Sequence, residues 1–340
     1  MRYRLLGRTG LRVSELWLGT MTFGEEWGWG APEATSARMV DLYLDAGGNV
    51  VDTADVYTNG TSEEMIGRLL GPRRERVVLS TKYSLTVRPD DPNGGGSHRR
   101  HLVESLEASL RRLRTDHIDV YWVHFRDYLT PVEETMRALD DQVRLGKVLY
   151  VAVSDWPAWE IARAQTLAEL RGWSPFAALQ TQYSLLERTS ERDLIPMCTS
   201  LDLSVVAWSP LARGVLTGKY LDRAATGRIT VTGGSAEMDP RTEAVVRETV
   251  DVAEELGVTV SQVALAWLLS RPAPVMPIIG ATGGQQFAEN LAALDVDLAP
   301  EHVQRLDAVS SIELGFPHDW LALEVVRRAQ YGPVREKIDA

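Results

Sequence analysis

Apolar residues recur along this chain in short dense runs, separated by longer stretches where apolar positions return every three or four residues. The runs are Glu15–Thr20, Asn49–Asp52, Val77–Lys82, Ile118–His124, Val148–Ser154, Phe176–Gln182, Leu203–Ser209 and Met276–Gly280. Short, rich in Val, Ile, Leu and aromatic residues, they read as strands covered on both faces. Helical patterns separate most of them, at Ser36–Ala46, Ser62–Leu70, Arg99–Leu113, Val132–Leu145, Ala158–Leu170 and Glu191–Ser200. Two more, Glu243–Leu256 and Ser261–Leu269, lie between the seventh and eighth runs. Eight such strands alternating with helices predict an α/β protein of the (β/α)8 TIM-barrel kind. A doubly wound sheet would need a linker or a change of rhythm near the middle, and the alternation simply continues. The expectation is one barrel domain over residues 1–340.

Three segments depart from this rhythm. Tyr3–Leu6 and Leu11–Ser14 flank Gly7-Arg8-Thr9-Gly10 and predict a β-hairpin ahead of the first barrel strand. Glycine and proline dominate Arg88–Gly96, a loop after the third run. Past Pro300 another helix leads into Ser310–Trp320, where clean periodicity stops; a loop-and-helix extension of that kind can fold back over a barrel mouth. Two helix starts carry capping patterns, Thr130-Pro131-Val132-Glu133 and Thr61-Ser62-Glu63-Glu64.

Composition narrows the functional classes. With 44% hydrophobic residues in 340, the chain can bury a large core, and no apolar stretch approaches the length of a membrane span. Lys+Arg 36 against Asp+Glu 47 gives a net charge of −11 and no basic stripe, which speaks against nucleic acid as a partner. The one basic cluster, Arg111-Arg112 with Arg114, sits late in a helical pattern and is expected to face solvent. One cysteine, Cys198, leaves no internal disulfide, and Met1-Arg2-Tyr3-Arg4 opens no signal-like segment, so a cytoplasmic location is expected. His98, His101 and His117 are poorly placed for a metal site, and none is expected.

Candidate chemistry gathers at the strand ends. Asp52 closes the second run and Tyr57 follows five residues later; Lys82 closes the third run and His124 the fourth. Each alone has an ordinary structural explanation, as a solvated charge, a core histidine or a turn anchor. Together, on the carboxyl ends of successive strands, a carboxylate, a phenol, an amine and an imidazole meet on the face where α/β folds bind ligands. A free tyrosine has a pKa of about 10. An adjacent ammonium held by a carboxylate can tune that phenol, while an imidazole orients a carbonyl or relays a proton. The set fits proton donation to a substrate oxygen that becomes negative.

The stretches Asp52-Thr53-Ala54-Asp55-Val56-Tyr57, Ser80-Thr81-Lys82, Asp119–His124 and Trp208–Lys219 resemble the aldo-keto reductase family, and its bacterial members related to potassium-channel β subunits. The likeness runs from about Tyr3 to Asp307. It implies a barrel closed below by the hairpin, an extended nicotinamide dinucleotide across the opposite mouth, and a tetrad of Asp52, Tyr57, Lys82 and His124. It also implies that Ser154, Asp155 and Gln180 hold the nicotinamide amide, Asp155 standing where many members have asparagine. Trp208 would stack on the ring, and the loop with Ser209, Pro210, Leu211, Arg213, Gly214 and Lys219 would cross the pyrophosphate. Gly280, Thr282, Gln286, Glu289 and Asn290 match the adenosine end, yet no Lys or Arg lies between Gly280 and Asn290. The family habit favours NADP(H); the missing base leaves NAD(H) open.

Trp27 and Trp29 after the first strand, and Trp156 and Trp159 after the fifth, are candidate walls for a planar or apolar carbonyl substrate, with packing as the alternative. The implied activity is reduction of an aldehyde or ketone. A slow-turnover redox sensor or regulatory subunit is the competing reading, and a non-redox barrel a more distant one. Oligomeric state and natural substrate stay open.

Overall fold

The computed structural model describes residues 1–222, 225–235 and 237–338. Among the described residues there are ten strands: β1 (Tyr3–Leu5), β2 (Arg12–Ser14), β3 (Trp17–Gly19), β4 (Val50–Asp52), β5 (Val78–Tyr83), β6 (Ile118–Val123), β7 (Val148–Ser154), β8 (Phe176–Gln182), β9 (Ser204–Trp208) and β10 (Val275–Ile279). β1 and β2 form the antiparallel hairpin. β3 to β10 close a barrel of parallel strands, β10 returning to pair with β3. Around it run α1 (Glu33–Asp45), α2 (Thr61–Leu70), α3 (Arg99–Leu113), α4 (Val132–Arg144), α5 (Ala158–Arg171) and α6 (Leu194–Ser200). α7 (Arg228–Val231), α8 (Pro240–Leu256), α9 (Val260–Leu269), α10 (Gly284–Leu291), α11 (Pro300–Val309), α12 (His318–Ala322) and α13 (Glu324–Tyr331) follow. The (β/α)8 barrel with its hairpin is as the alternation predicts.

The period of two along each strand sorts side chains between two cores. Val50, Val78, Val120, Trp122, Ala178, Val206 and Met276 point inward with Trp17, whose ring meets Trp122 edge-on at 6.2 Å. Leu6 and Val13 of the hairpin region join this inner cluster and stop the barrel from below. Alternate residues such as Leu79, Tyr121, Val123 and Val153 join the larger cluster under the helices. The same alternation lifts Asp52, Ser80, Lys82 and Gln180 one layer above the tryptophan plug.

Where boundaries moved, a side-chain contact explains the shift. Glu15 leaves the first barrel strand because its carboxylate accepts from Arg2 N at 2.7 Å and Arg2 Nε at 2.9 Å, so it belongs to the hairpin. The pattern predicted from Glu191 becomes α6 only at Leu194, since Thr189–Glu191 forms a separate 3-10 turn whose Glu191 is gripped by Arg188 and Tyr183. The capping expectations need correction. Thr130 donates its hydroxyl to Asp127 at 2.5 Å, and Pro131 holds the N-cap position. Gly60 precedes α2, so Thr61 is already helical and Glu63 turns into the protein. A reciprocal box exists elsewhere: Thr259 Oγ1 accepts from Gln262 N, and Gln262 Oε1 from Thr259 N, at the start of α9.

Just beyond α11, Arg192 donates to Glu313 O at 2.8 Å and Arg241 to Ser310 O at 2.9 Å. A cleft there is shared by Thr189, Arg192 and Leu194 with Leu314, Phe316 and His318. No single helix among the described residues is long and apolar enough to cross a membrane.

Candidate active site

Lys82 is fully buried, and an ammonium there needs partners on every side. Its Nζ donates to Asp52 Oδ2 at 2.5 Å and Thr53 O at 2.7 Å, and faces the Tyr57 hydroxyl at 3.5 Å. Asp52 is saturated in turn: Oδ1 accepts from Ser80 Oγ at 2.7 Å and Gln180 Nε2 at 3.4 Å. Ser80 Oγ itself accepts from Trp122 Nε1 at 2.6 Å. The carboxylate is therefore anchored into the barrel plug rather than left to follow solvent.

Tyr57 sits beyond the strand, opening a short 3-10 segment in which Thr58 and Asn59 both have left-handed φ, 47° and 57°. A β-branched threonine there carries strain, which surrounding bonds hold in place. Thr58 Oγ1 donates to Phe23 O at 2.7 Å, and Ser62 N donates to Thr58 Oγ1 at 3.1 Å. Ser62 Oγ further bridges Thr20 O and Thr53 Oγ1. His124 completes the group, its ring edge-on to Tyr57 at 5.9 Å and its Nδ1 buried without a partner among the described residues.

The electrostatics differ in one respect from the sequence expectation. Burial raises the Tyr57 pKa above its ordinary value; Lys82 pulls it down and Asp52 pushes it up, leaving a net rise. The phenol therefore keeps its proton at neutrality. Burial acts to lower Lys82, but Asp52 and then Tyr57 outweigh it, so the amine stays charged. Burial, aided by Lys82, drives His124 well below its usual range, so the imidazole is neutral.

The other expected residues gather around this cluster unevenly. Ser154 and Gln180 face each other in the β7–β8 ladder, Asp155 accepts from Trp208 Nε1 at 3.0 Å, and Trp208 is half-buried at the end of β9. Past it, Ser209, Ala212, Arg213, Gly214 and Gly218 all have left-handed φ, winding the backbone into tight turns over Ser209–Gly218. Successive amides in such turns form concavities that attract anions. Pro210 is buried, Leu211 half-buried, and the Lys219 side chain lies over the Tyr220 ring. Across the barrel seam, Gly280, Thr282, Gln286 and Glu289 are exposed, with Gln286 Oε1 accepting from Thr282 N at 3.3 Å; Asn290 is buried and its Nδ2 has no partner among the described residues.

Trp27 and Trp29 pack together at 5.7 Å, both half-exposed. Trp159 is 64% exposed. Trp156 is 2% exposed, edge-on to Phe176 and covered by the Arg126 guanidinium at 5.1 Å; packing describes it, not a wall of the mouth. Phe125, beside His124 at 4.7 Å, and the 76%-exposed Tyr128 supply aromatic surface that the sequence reading left out.

Two arginines also escaped that reading. Arg228, on the loop following β9, lies 4.8 Å over the Trp29 ring with Met21 alongside. Burial, then the neighbouring Arg213, holds it below the ordinary guanidinium range, with Tyr57 opposing. Arg38 of α1 lies against Gly284, the first residue of α10, so closely that a Cβ there would stand 2.9 Å from Arg38 Cδ. Neither pairs with an acid among the described residues. Sequence gives no signal for either, because each meets the site across closure of the barrel.

Unpaired cations, coiled amides, an orphaned buried amide and a half-buried indole together fit an anionic dinucleotide by the chemistry of their donors. Comparison with known proteins agrees with that chemistry. The Aldo/keto reductase family model matches residues 15–311. The chain is 40% identical over 321 residues to an uncharacterized oxidoreductase, YrpG, of Bacillus subtilis, covering 91% of this chain and 96% of the relative. It is 36% identical to the aryl-alcohol dehydrogenase [NADP(+)] of Phanerodontia chrysosporium, covering 91% and 86% respectively. It is 36% identical to the versiconal hemiacetal acetate reductase of Aspergillus parasiticus, covering 90% and 96%. The chain belongs to the aldo/keto reductase family.

Proposed function

We propose that the protein reduces an aryl aldehyde or ketone to the alcohol, working as one barrel, with Tyr57 as the proton donor and NADPH as the preferred reductant. The observation that carries this is the Tyr57 hydroxyl, still protonated, 3.5 Å from the buried Lys82 ammonium that Asp52 fixes at 2.5 Å. A bound nicotinamide dinucleotide supplies the hydride. Tyr57 then bonds the carbonyl oxygen and gives its proton as that oxygen gains charge, and Lys82 stabilises the phenolate left behind. The neutral His124 donates to the same oxygen and orients it.

Ser154, Asp155 and Gln180 hold the nicotinamide end in this proposal, and Trp208 stacks on the ring. Arg213, Lys219 and Arg228 meet the diphosphate over the coiled Ser209–Gly218 turns. Arg38 supplies the cation that Gly280–Asn290 lacks, placing a guanidinium beside the α10 amides where a 2′-phosphate would dock. Trp27, Trp29, Phe125 and Tyr128 give the aromatic surroundings that suit an aryl substrate, in keeping with a relative named as an aryl-alcohol dehydrogenase.

Steady-state reduction of a benzaldehyde panel, with wild type and Tyr57→Phe, tests the reading. The variant is expected to lose about 10²–10⁴-fold in kcat while NADPH affinity stays within about twofold. Retention of wild-type kcat in the variant would assign proton donation to another group.

A further inference from the structure

One acid at the mouth has no part in the proton transfer. Asp155 follows the last residue of β7 with a left-handed φ of 53°. Its carboxylate is held from two sides, Trp208 Nε1 donating to Oδ1 at 3.0 Å and Ser154 Oγ to Oδ2 at 3.4 Å. A bond between the ends of β7 and β9 thus fixes a carboxylate beside the tetrad, in electrostatic reach of both Lys82 and Tyr57.

The groups around it leave that charge uncompensated. Lys82 is already paired with Asp52 at 2.5 Å, Tyr57 and His124 are neutral near pH 7, and Gln180 carries no charge. Arg228, the other ion in reach of Tyr57, lies over Trp29 and beside Arg213. A nicotinamide that delivers hydride to a carbonyl bonded by Tyr57 must lie within contact of that carbonyl, and so within reach of Asp155. Its ring is cationic when oxidised and neutral when reduced.

We propose that Asp155 sets the balance between the two redox forms of the bound cofactor, its carboxylate favouring the oxidised ring over the reduced one. This rests on the reading that the mouth holds a nicotinamide. An amide at the same place would contact both forms alike, whereas a carboxylate separates them by charge. Stabilising the oxidised ring favours hydride transfer to the carbonyl on the enzyme and slows exchange of the spent cofactor afterwards.

Calorimetric titration of wild type and Asp155→Asn with NADPH and with NADP+ at pH 8 tests this. The ratio Kd(NADPH)/Kd(NADP+) is expected to be about tenfold higher in wild type, about 1.4 kcal/mol. Burial raises the Asp155 pKa to about 6, against the pull of Trp208, Ser154 and Lys82. The wild-type ratio is therefore expected to fall between pH 8 and pH 5, and the variant's to stay flat. The cofactor's own 2′-phosphate titrates near about 6 as well, but both redox forms share it and it cancels in the ratio. If the variant fails to fold, the wild-type pH series decides alone. A ratio indifferent to both substitution and pH overturns the inference and leaves the cofactor reading standing; wild type binding neither form overturns both.

Discussion

Arg38 and Gly284 touch across the seam where the barrel closes, α1 against α10, with the guanidinium lying where a side chain at 284 would otherwise begin. Arg38→Ala is expected to weaken NADPH about tenfold, about 1.4 kcal/mol, while NADH changes less than about twofold. Gly284→Ala is expected to act in the same direction by displacing the arginine. Fluorescence titration of each reduced cofactor measures both effects, and equal losses for NADPH and NADH would remove Arg38 from the phosphate site.

Arg112 was expected to face solvent, yet it reaches from α3 to Glu63, a fully buried carboxylate, with Nε donating to Oε2 at 2.7 Å. Glu63 Oε1 accepts from Thr81 of β5 at 2.5 Å, so the pair ties two helices to the barrel wall. Arg112→Met would strand that charge and is expected to cost about 3–5 kcal/mol in urea unfolding. Adding Glu63→Gln is expected to restore much of the loss. A single variant within about 0.5 kcal/mol of wild type would mean the guanidinium contributes little.

Asp55 is buried near that pair, and among the described residues Ser105 and the Val56 amide approach its carboxylate without a well-formed hydrogen bond. Burial, then Glu63, raises its pKa well above the carboxylate range against the pull of Arg112. The folded protein therefore keeps a proton that the unfolded chain releases near pH 3.9. Stability falls as pH rises above that value, by about 1.4 kcal/mol per unit, until the folded carboxyl ionises. Asp55→Asn is expected to be more stable than wild type at pH 8 and to lose that advantage toward pH 4. Parallel pH–stability curves for the two proteins would contradict the assignment.

The reciprocal cap of α9 gives a smaller, cleaner effect. Thr259→Ala removes the acceptor for Gln262 N and is expected to cost about 1 kcal/mol with no change in cofactor affinity.

Strand order and strand ends were readable because burial on both faces writes itself into local sequence, as in β7 and β8, whose bounds match the predicted runs. The four polar groups were readable for the same reason: Asp52, Lys82 and His124 end apolar runs, and Tyr57 follows one closely. Arg38, Arg228 and Arg112 were not. Each earns its place by a partner far along the chain, brought near by barrel closure or helix packing, and an arginine on a helix face looks the same from sequence whether its neighbour is water, a buried glutamate or a phosphate. Trp156 failed in the opposite sense: position after β7 suggested the mouth, while Phe176 and Arg126 enclose it.

The hydrogen bond from Trp122 to Ser80 has a directional consequence. An indole N–H only donates, so the Ser80 hydroxyl must spend its single hydrogen on Asp52 Oδ1. Below that indole lie the apolar side chains around Trp17, which carry no exchangeable path downward. The floor of the site is thus a proton dead end. In the proposed reaction, the proton that Tyr57 gives up is therefore replaced from the open side, past His124 or through water at the mouth, and a substrate occupying that opening delays the refilling of the donor until product leaves.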